Sequence, residues 1–276
     1  MVAGAAIGTT ALIADMADVV IAVKDADFYV TAPSEITAEA CAEEGTVDIL
    51  ADDFDSASKA VRDIVALLPS NNLSTAPVYD FNDPASAAET GMSAAEIISA
   101  CADAGSAVEL KAKYAENCKT VLATVAGSTV GFVGFDGASV CPACAYKAEA
   151  FVKFCDAFNI PVVTLLSANG LCKERENQML IASAKLTSAY AAATCPKLSV
   201  ITGKAVAPLT LCLPAEVQTL ILFIHGILQL FLRLIQKRQL RSFSMTDLQR
   251  AKREKTLKKS MRILLLLRLQ LQPAER

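Results

Sequence analysis

The first 206 residues of this 276-residue chain contain no histidine; the only one is His225. A body without imidazole excludes Ser-His-Asp and Cys-His nucleophile systems and any His-ligated metal. If the chain is an enzyme, its chemistry must run on carboxylates, lysines, thiols or backbone dipoles. The opening, MVAGAAIGTTALIADMADVV, has no basic stretch ahead of its apolar residues and soon turns acidic, so it does not read as a secretory leader. The nine cysteines are odd in number and scattered. They fit free thiols in a reducing cytoplasm better than a disulfide framework. Only one CxxC is present, Cys141 to Cys144, with no second pair to complete a zinc site.

What is present is unevenly distributed. Residues 1–206 carry 13 Lys+Arg and 25 Asp+Glu, a net of −12, while residues 207–276 carry 13 Lys+Arg and 4 acids, a net of +9. Residues 207–276 also hold 18 Leu but only 4 Ala, and no Val after Val217. Such a switch implies a basic appendage or two sequences of different origin.

Residues 4–16 are small and apolar and are predicted as a helix. Val19–Val23 and Asp27–Thr31 read as short buried strands. Ala57–Leu68 reads as an amphipathic helix with Ala60, Val61, Ile64, Val65 and Leu68 on one face, ended by Pro69-Ser70-Asn71-Asn72. Leu73–Thr90, rich in Ser, Pro, Asp and Asn, is the best linker candidate. A helix over Ser93–Ala104 follows, with Ser93 as N-cap and Glu96 three residues on. Val108–Ala112, Thr120–Val125 and Thr129–Phe135 read as strands, with Gly127 at the turn between the last two. Then come a helix over Ala145–Phe158, a strand over Pro161–Leu166, a helix over Glu174–Ala193 and a strand over Leu198–Thr202. This alternation argues an α/β layer fold. It disappears after about Ala207.

Three constellations bear on chemistry. Gly4–Thr10 (GAAIGTT) reads first as close helix packing, and alternatively as a helix N-terminus whose N–H groups hold an oxyanion. Cys141-Pro142-Ala143-Cys144 has the spacing of redox dithiols just before a helix, though the plainer reading, two thiols in a loop, is favoured. Leu220–Ile235 is an apolar run broken by His225, Gln229 and Arg233, shorter than a typical spanning helix, with Lys237, Arg238 and Arg241 after it. Membrane association is the lesser reading, and nothing points to nucleic acid.

Two stretches resemble a known family. Thr129–Lys204 contains STVGFVGF without its Ser, then AEAFVKFCDAFNIPVVTLL and AKLTSAYAAATCPKLSVITGKA. It is similar to the C-terminal half of the carboxyltransferase subunits of biotin-dependent acyl-CoA carboxylases and decarboxylases, with Phe154–Pro161 (FCDAFNIP) the most specific run. Gly4–Pro33 and the LLPSNN of Leu67–Asn72 more weakly resemble the end of the family's N-terminal half. The resemblance implies an α/β, crotonase-like (ClpP/crotonase) ββα superhelix. It implies residues 1–72 as the end of the N-terminal half, 73–90 as a linker and 91–206 as the first part of the C-terminal half. Most of the first half is expected to be missing before Met1.

It also implies a chemistry suited to a body without histidine. Carboxybiotin on a carrier protein yields CO2, which the enolate of a short-chain acyl-CoA takes up, or the reverse. Backbone N–H pairs at helix N-termini, one pair per half, hold the developing oxyanions. Carried over by position, the N-terminal pair is Gly8 and Thr9. The C-terminal pair belongs just after Lys204-Ala205-Val206, where this chain reads Ala207-Pro208-Leu209-Thr210, and Pro208 has no N–H. Leu166–Leu171 also departs from the family's VDxPGF. Implied partners are the biotin carboxyl carrier protein, a biotin carboxylase or decarboxylase subunit, and further copies of the chain, since family sites form between subunits. No metal is implied.

The tail reads as out of frame. Val206–Thr210 can be encoded so that one added G gives VGAAY, the expected motif, and the shifted frame can be continued through Ile224–Lys255 in family-like sequence. Residues 207–276 are therefore expected to have no selected structure, and the chain alone to be inactive. Two other readings are a biotin-independent crotonase-type acyl-CoA hydratase or isomerase, and a non-enzymatic remnant with a membrane-associating tail. The first would place a Glu or Asp beside the oxyanion hole, and none follows GAAIGTT.

Overall fold

A computed structural model describes residues 1–205, apart from 32, 33, 75, 85–87, 89, 90 and 138. The expectations placed on residues 206–276, including the Leu220–Ile235 run, His225 and Pro208, lie outside the described residues.

The larger sheet has five strands in the order β5 (Val108–Leu110), β6 (Cys118–Val125), β7 (Ser128–Gly137), β8 (Val162–Ala168) and β9 (Lys197–Ala205). To name the elements in chain order, these follow β1 (Ala6–Ile7), α1 (Thr9–Asp15), β2 (Ile21–Val23), β3 (Phe28–Tyr29), α2 (Ala38–Glu43), β4 (Ile49–Ala51), α3 (Phe54–Leu67) and α4 (Ala94–Cys101); α5 (Pro142–Ala157) and α6 (Glu176–Ala192) lie between the last strands. β5, β6 and β7 run antiparallel, and β7, β8 and β9 run parallel. The β6–β7 hairpin turns at Ala126 and Gly127, both at positive φ, as a two-residue turn between right-twisted strands requires. Asp103 accepts both their N–H groups, at 2.9 and 2.8 Å. A Cβ on Gly127 would lie 2.0 Å from the carbonyl oxygen of Tyr79, so the turn and the segment crossing it fit only with glycine there.

β7 is buried from Thr129 to Phe135, which its TVGFVGF sequence anticipates for a central strand. Its glycines admit helices on both faces. A Cβ on Gly131 would meet Cys155 Sγ of α5 at 2.6 Å, and one on Gly134 would meet the Ala94 Cβ of α4 at 2.6 Å. Three residues apart, they face opposite sides of the sheet. The main core, including Phe135, Phe151, Leu166, Leu186 and Tyr190, fills the α5–α6 side. Inside it the hydroxyls of Thr164 and Tyr190 pair at 2.7 Å, which satisfies two buried polar groups at once.

The N-terminal elements are smaller. β1 pairs with β3 and β2 with β4, both in parallel. They are attached to the larger sheet at named points. Ile64 and Leu67 of α3 enter its core, Thr129 Oγ1 donates to the Leu67 carbonyl at 2.8 Å, and Lys111 N–H donates to the Asp48 carbonyl at 2.7 Å. Buried Asp48 accepts from Val20 N–H at 2.7 Å and faces Lys111 Nζ at 3.6 Å.

Three expectations need correction. Residues 4–16 do not form one helix: Ala6–Ile7 pair with Phe28–Tyr29 as strands, and the helix starts only at Thr9. Nor are they closely packed, since within α1 only Ala11 is buried and a Cβ on Gly4 would meet nothing within 4 Å. The amphipathic helix begins earlier, at Phe54, because Asp53 caps it, and it buries Ala57, Ile64 and Leu67 while Val65 is 63% exposed. α2 and β4 were not anticipated.

Candidate active site

Gly8 is the N-cap of α1 at φ 65°, ψ −122°, a conformation that a side chain strains. It turns the chain from β1 into the helix. The register of β1 on β3 gives its N–H to the carbonyl of Tyr29 at 2.8 Å. Thr10 folds back on Ile7, its Oγ1 accepting from Ile7 N–H at 2.9 Å and donating to Ile7 O at 2.8 Å. Thr9 and Thr10 are exposed, and among the described residues neither N–H has an acceptor. Of the pair expected from sequence, Thr9 thus keeps an open donor and Gly8 does not.

A neighbouring set of donors escaped the sequence reading. Val2 bridges Ala22, its N–H donating to Ile21 O at 2.8 Å and its carbonyl accepting from Val23 N–H at 2.9 Å. Ala6 N–H next donates to Asp27 O at 2.8 Å. Between them Ala3, Gly4 and Ala5 are exposed and give their N–H groups to no acceptor among the described residues. The chain steps here from one parallel strand to another, and the step leaves its amides open. The signal in the sequence was Gly4 flanked by alanines. Such backbone donors can stabilise a developing oxyanion without any titrating side chain.

At the other sheet, β7, β8 and β9 all end on one edge, where ligands of open parallel sheets commonly bind. Val140 bridges Leu171 and accepts from Cys172 N–H at 2.9 Å, which ties the turn after β7 to the loop after β8. The Leu166–Leu171 stretch enters that loop through a register shift at Leu166/Ala168. The segment after β9, where the second pair of donors was expected, lies outside the described residues.

The CxxC is not in a loop. Cys141 is the N-cap of α5, with Pro142 in the first turn, and its sulfur accepts from Cys144 N–H at 3.2 Å. The two sulfurs lie 2.8 Å apart. The hydrogen bond from Cys144, with backbone N–H groups of the helix end, lowers the Cys141 thiol to about 6, against burial. The shared hydrogen bond and burial raise that of Cys144. Among the described residues no cluster of His, Cys, Asp or Glu could hold a metal ion, and no helix is long and apolar enough to cross a membrane. A cavity of about 560 Å³ lined by Lys24, Glu39, Asp48, Asp52, Glu109 and Lys113 touches neither Gly8 nor Cys141. Its charges are largely matched in the Lys24–Asp52 and Lys113–Glu39 ion pairs.

The family model described as "Carboxyl transferase domain" matches residues 1–211. The chain is 29% identical over 239 residues to the methylmalonyl-CoA carboxyltransferase 12S subunit of Propionibacterium freudenreichii subsp. shermanii, covering 74% of this chain and 45% of that protein. It is 33% identical over 192 residues to the propionyl-CoA carboxylase beta chain of Saccharopolyspora erythraea, covering 58% of this chain and 34% of that one. The chain thus spans less than half the length of these curated relatives. Among solved structures it is similar to transcarboxylase 12S, described as a hexamer assembly with methylmalonyl-CoA bound, with a TM-score of 0.66, 28% identity and coverage of 72% of this chain and 46% of that one. The crotonase-like α/β fold expected from the sequence is the one found.

Proposed function

The chain belongs to the carboxyl transferase domain family, and on that premise we propose that it carries part of a site for carboxyl transfer between biotin on a carrier protein and the α-carbon of a short-chain acyl-CoA. The observation that carries this reading is the family match across residues 1–211, which includes both the open donors and the five-stranded sheet. Residues 1–72 are the end of one carboxyltransferase half, 73–90 a linker, and 91–206 the beginning of the second half.

The fit of the residues to the substrates is through backbone amides. Thr9, with Gly4 and Ala5 upstream, offers open N–H groups at an exposed step of the chain, the donors that an enolate oxygen or a ureido oxygen requires. Gly8 serves this site through its turn and through the bond to Tyr29 that fixes β1. Fixed amides need no reorganisation when charge develops, so a body without histidine suffices. Biotin, when bound, supplies the carboxyl group and accepts the α-proton.

The second set of donors belongs after β9, and the sequence there contains Pro208, which has no N–H to offer. The 276-residue chain is therefore expected to be inactive by itself. Its working form assembles as a homo-oligomer with a biotin carboxyl carrier protein and a carboxylase or decarboxylase subunit, in a reducing cytoplasm. The hexamer of the transcarboxylase relative and the exposed apolar side chains of α1 support the oligomer.

The test is transfer of labelled carboxyl groups between a carboxylated biotin carrier and a panel of acetyl-, propionyl- and methylmalonyl-CoA. It is run with the 276-residue chain and with the full-length protein encoded by a reread gene region that extends upstream of Met1 and restores VGAAY after Ala205. Transfer only by the restored protein is the expected result. A restored protein that hydrates or isomerises an enoyl-CoA whether or not carrier is added would overturn the reading.

A further inference from the structure

We propose that Cys141 and Cys144 form a thiol–disulfide exchange site for small-molecule disulfides, Cys141 attacking and Cys144 resolving, an activity separate from carboxyl transfer. The geometry assigns the roles. The sulfurs are 2.8 Å apart, so less than about 1 Å of movement reaches the length of a disulfide bond. Pro142 and Ala143 separate Cys141, the N-cap, from Cys144 in the first turn of a 16-residue helix. Cys141 is partly exposed, while Cys144 is 1% exposed. An external disulfide can therefore reach only Cys141.

Cys141 is also the thiol the fold activates. Its sulfur caps the helix, accepting the Cys144 N–H, where the N-terminal dipole favours a thiolate. Tyr114, Cys118 and Lys147 are the titratable groups that reach this pair from the surrounding elements. Lys147 is held on the carbonyl of Tyr114 at 2.8 Å. Three buried thiols are set against reaction. Burial raises Cys101 to about 11 and Cys118 to about 12, and holds Cys155 well above the ordinary range.

The exchange balances with a disulfide RSSR as oxidant. The Cys141 thiolate attacks one sulfur of RSSR, the S–S bond breaks, and RS⁻ leaves and takes a proton from water. Cys144 then gives its proton to water and attacks the Cys141 sulfur, displacing the second RS⁻, which is protonated in turn. Two thiols and RSSR become one intrachain disulfide and two RSH, with two electrons passing from the protein to RSSR.

The full chain, reduced and then held in buffers of glutathione and glutathione disulfide near neutral pH, tests this. Trypsin cleavage after Lys119 and Lys147 releases Thr120–Lys147, in which Cys141 and Cys144 are the only cysteines. In wild type this peptide should become lighter by two hydrogens and resistant to alkylation. Cys144→Ser should retain a glutathione adduct on Cys141, and Cys141→Ser should acquire none. Independently of either variant, the reduced wild-type chain should be alkylated at Cys141 about tenfold faster than at Cys144, a preference lost in urea. A peptide that remains fully alkylatable at every redox ratio, a Cys141 disulfide to another cysteine, or equal native alkylation of the two thiols overturns the proposal.

Discussion

In residues 91–205 one five-stranded sheet is covered on both faces, and the exposed large apolar side chains of its helices are Leu180 and Ile181 on α6. In residues 1–72 the sheets have two strands each, and Ile7, Leu12, Ile13, Met16, Val30 and Ile36 are exposed on α1 and in the segments before and after it. The difference follows from strand length. A strand of eight or ten residues offers two faces long enough to seat helices, whereas strands of two or three enclose only a smaller, alanine-rich cluster between Val2 and Val47. The first region holds the main core, and the second is a lighter frame that sets backbone donors in place and leaves much of its apolar helix uncovered. The free energy of the described chain is thus concentrated in the sheet, and its candidate chemistry lies largely outside it.

The sharpest test contrasts one apolar side chain from each region. Phe135, 1% exposed in the main core, should cost about 3–5 kcal/mol on replacement by alanine. Leu12, 53% exposed on α1, should change stability by no more than about 0.5 kcal/mol as Leu12→Ser. Urea midpoints of the two variants measure both. A Leu12→Ser chain as destabilised as Phe135→Ala would mean that α1 is covered in solution, and the contrast would break. Concentration dependence of the midpoint would then identify other copies of the chain as the cover.

Next in size is the hairpin turn. Asp103→Ala leaves the N–H groups of Ala126 and Gly127 without their acceptor in a turn packed against Tyr79, at a cost of about 1–3 kcal/mol. Loss of amide hydrogen-exchange protection should follow along β6 and β7 and stay small in α1. Equal loss in both regions would show that they unfold as one unit and not as core and frame.

These contrasts also explain what could be read from the sequence. The β6–β7 hairpin, α5, β8, α6 and β9 were legible because long apolar runs there are punctuated by Gly127, Pro161 and Pro196. The capping box of Ser93 and Glu96 was legible because it is local, and it is present with Ser93 N–H on Glu96 at 2.8 Å. β1 and β4 were missed because AI and ILA lack the β-branched and aromatic runs (VVIAV, DFYVT) that marked the equally short β2 and β3, and α2 (AEACAE) because alanine does not mark a face. Of the site, Gly8 and Thr9 were reached only through the family resemblance, carried over by position within the small-residue run GAAIGTT. That Tyr29 engages Gly8 N–H, and that Ala3 to Ala5 stay open, depends on strand register that no local pattern encodes. Cys141 as a cap was within reach, because a proline in the first turn, Pro142, marks where the helix begins.

A smaller effect, about 1 kcal/mol, is expected from Ser93→Ala, which removes the acceptor of Glu96 N–H at the start of α4. Because α4 covers the β7 face opened by Gly134, the loss should appear in the urea midpoint of the sheet. A neutral result would mean that the packing of Ile97 and Ile98 alone holds the helix.

The least effect is a pH slope, and it has opposite sign in the two regions. Cys141 is an acid whose folded value, about 6, lies below its ordinary value of 9.0, mainly because of the hydrogen bond from Cys144. Its thiolate therefore stabilises the folded chain fully above pH 9.0, and that contribution is lost as pH falls through about 6. Cys41 in α2 is raised above 9.0 by burial, so folding disfavours its thiolate and the penalty grows as pH rises past the ordinary value. Serine at position 141 retains an oxygen that can cap Cys144 N–H but does not titrate. The stability of wild type relative to Cys141→Ser should thus increase from pH about 6 to pH about 9, modestly because the thiol is partly exposed. Relative to Cys41→Ser it should decrease above pH 9.0. Urea midpoints across this range read both slopes. If the two difference curves run parallel, the Cys141 thiol has no special standing at the head of α5, and the region that forms the core has no activated thiol to set against the frame.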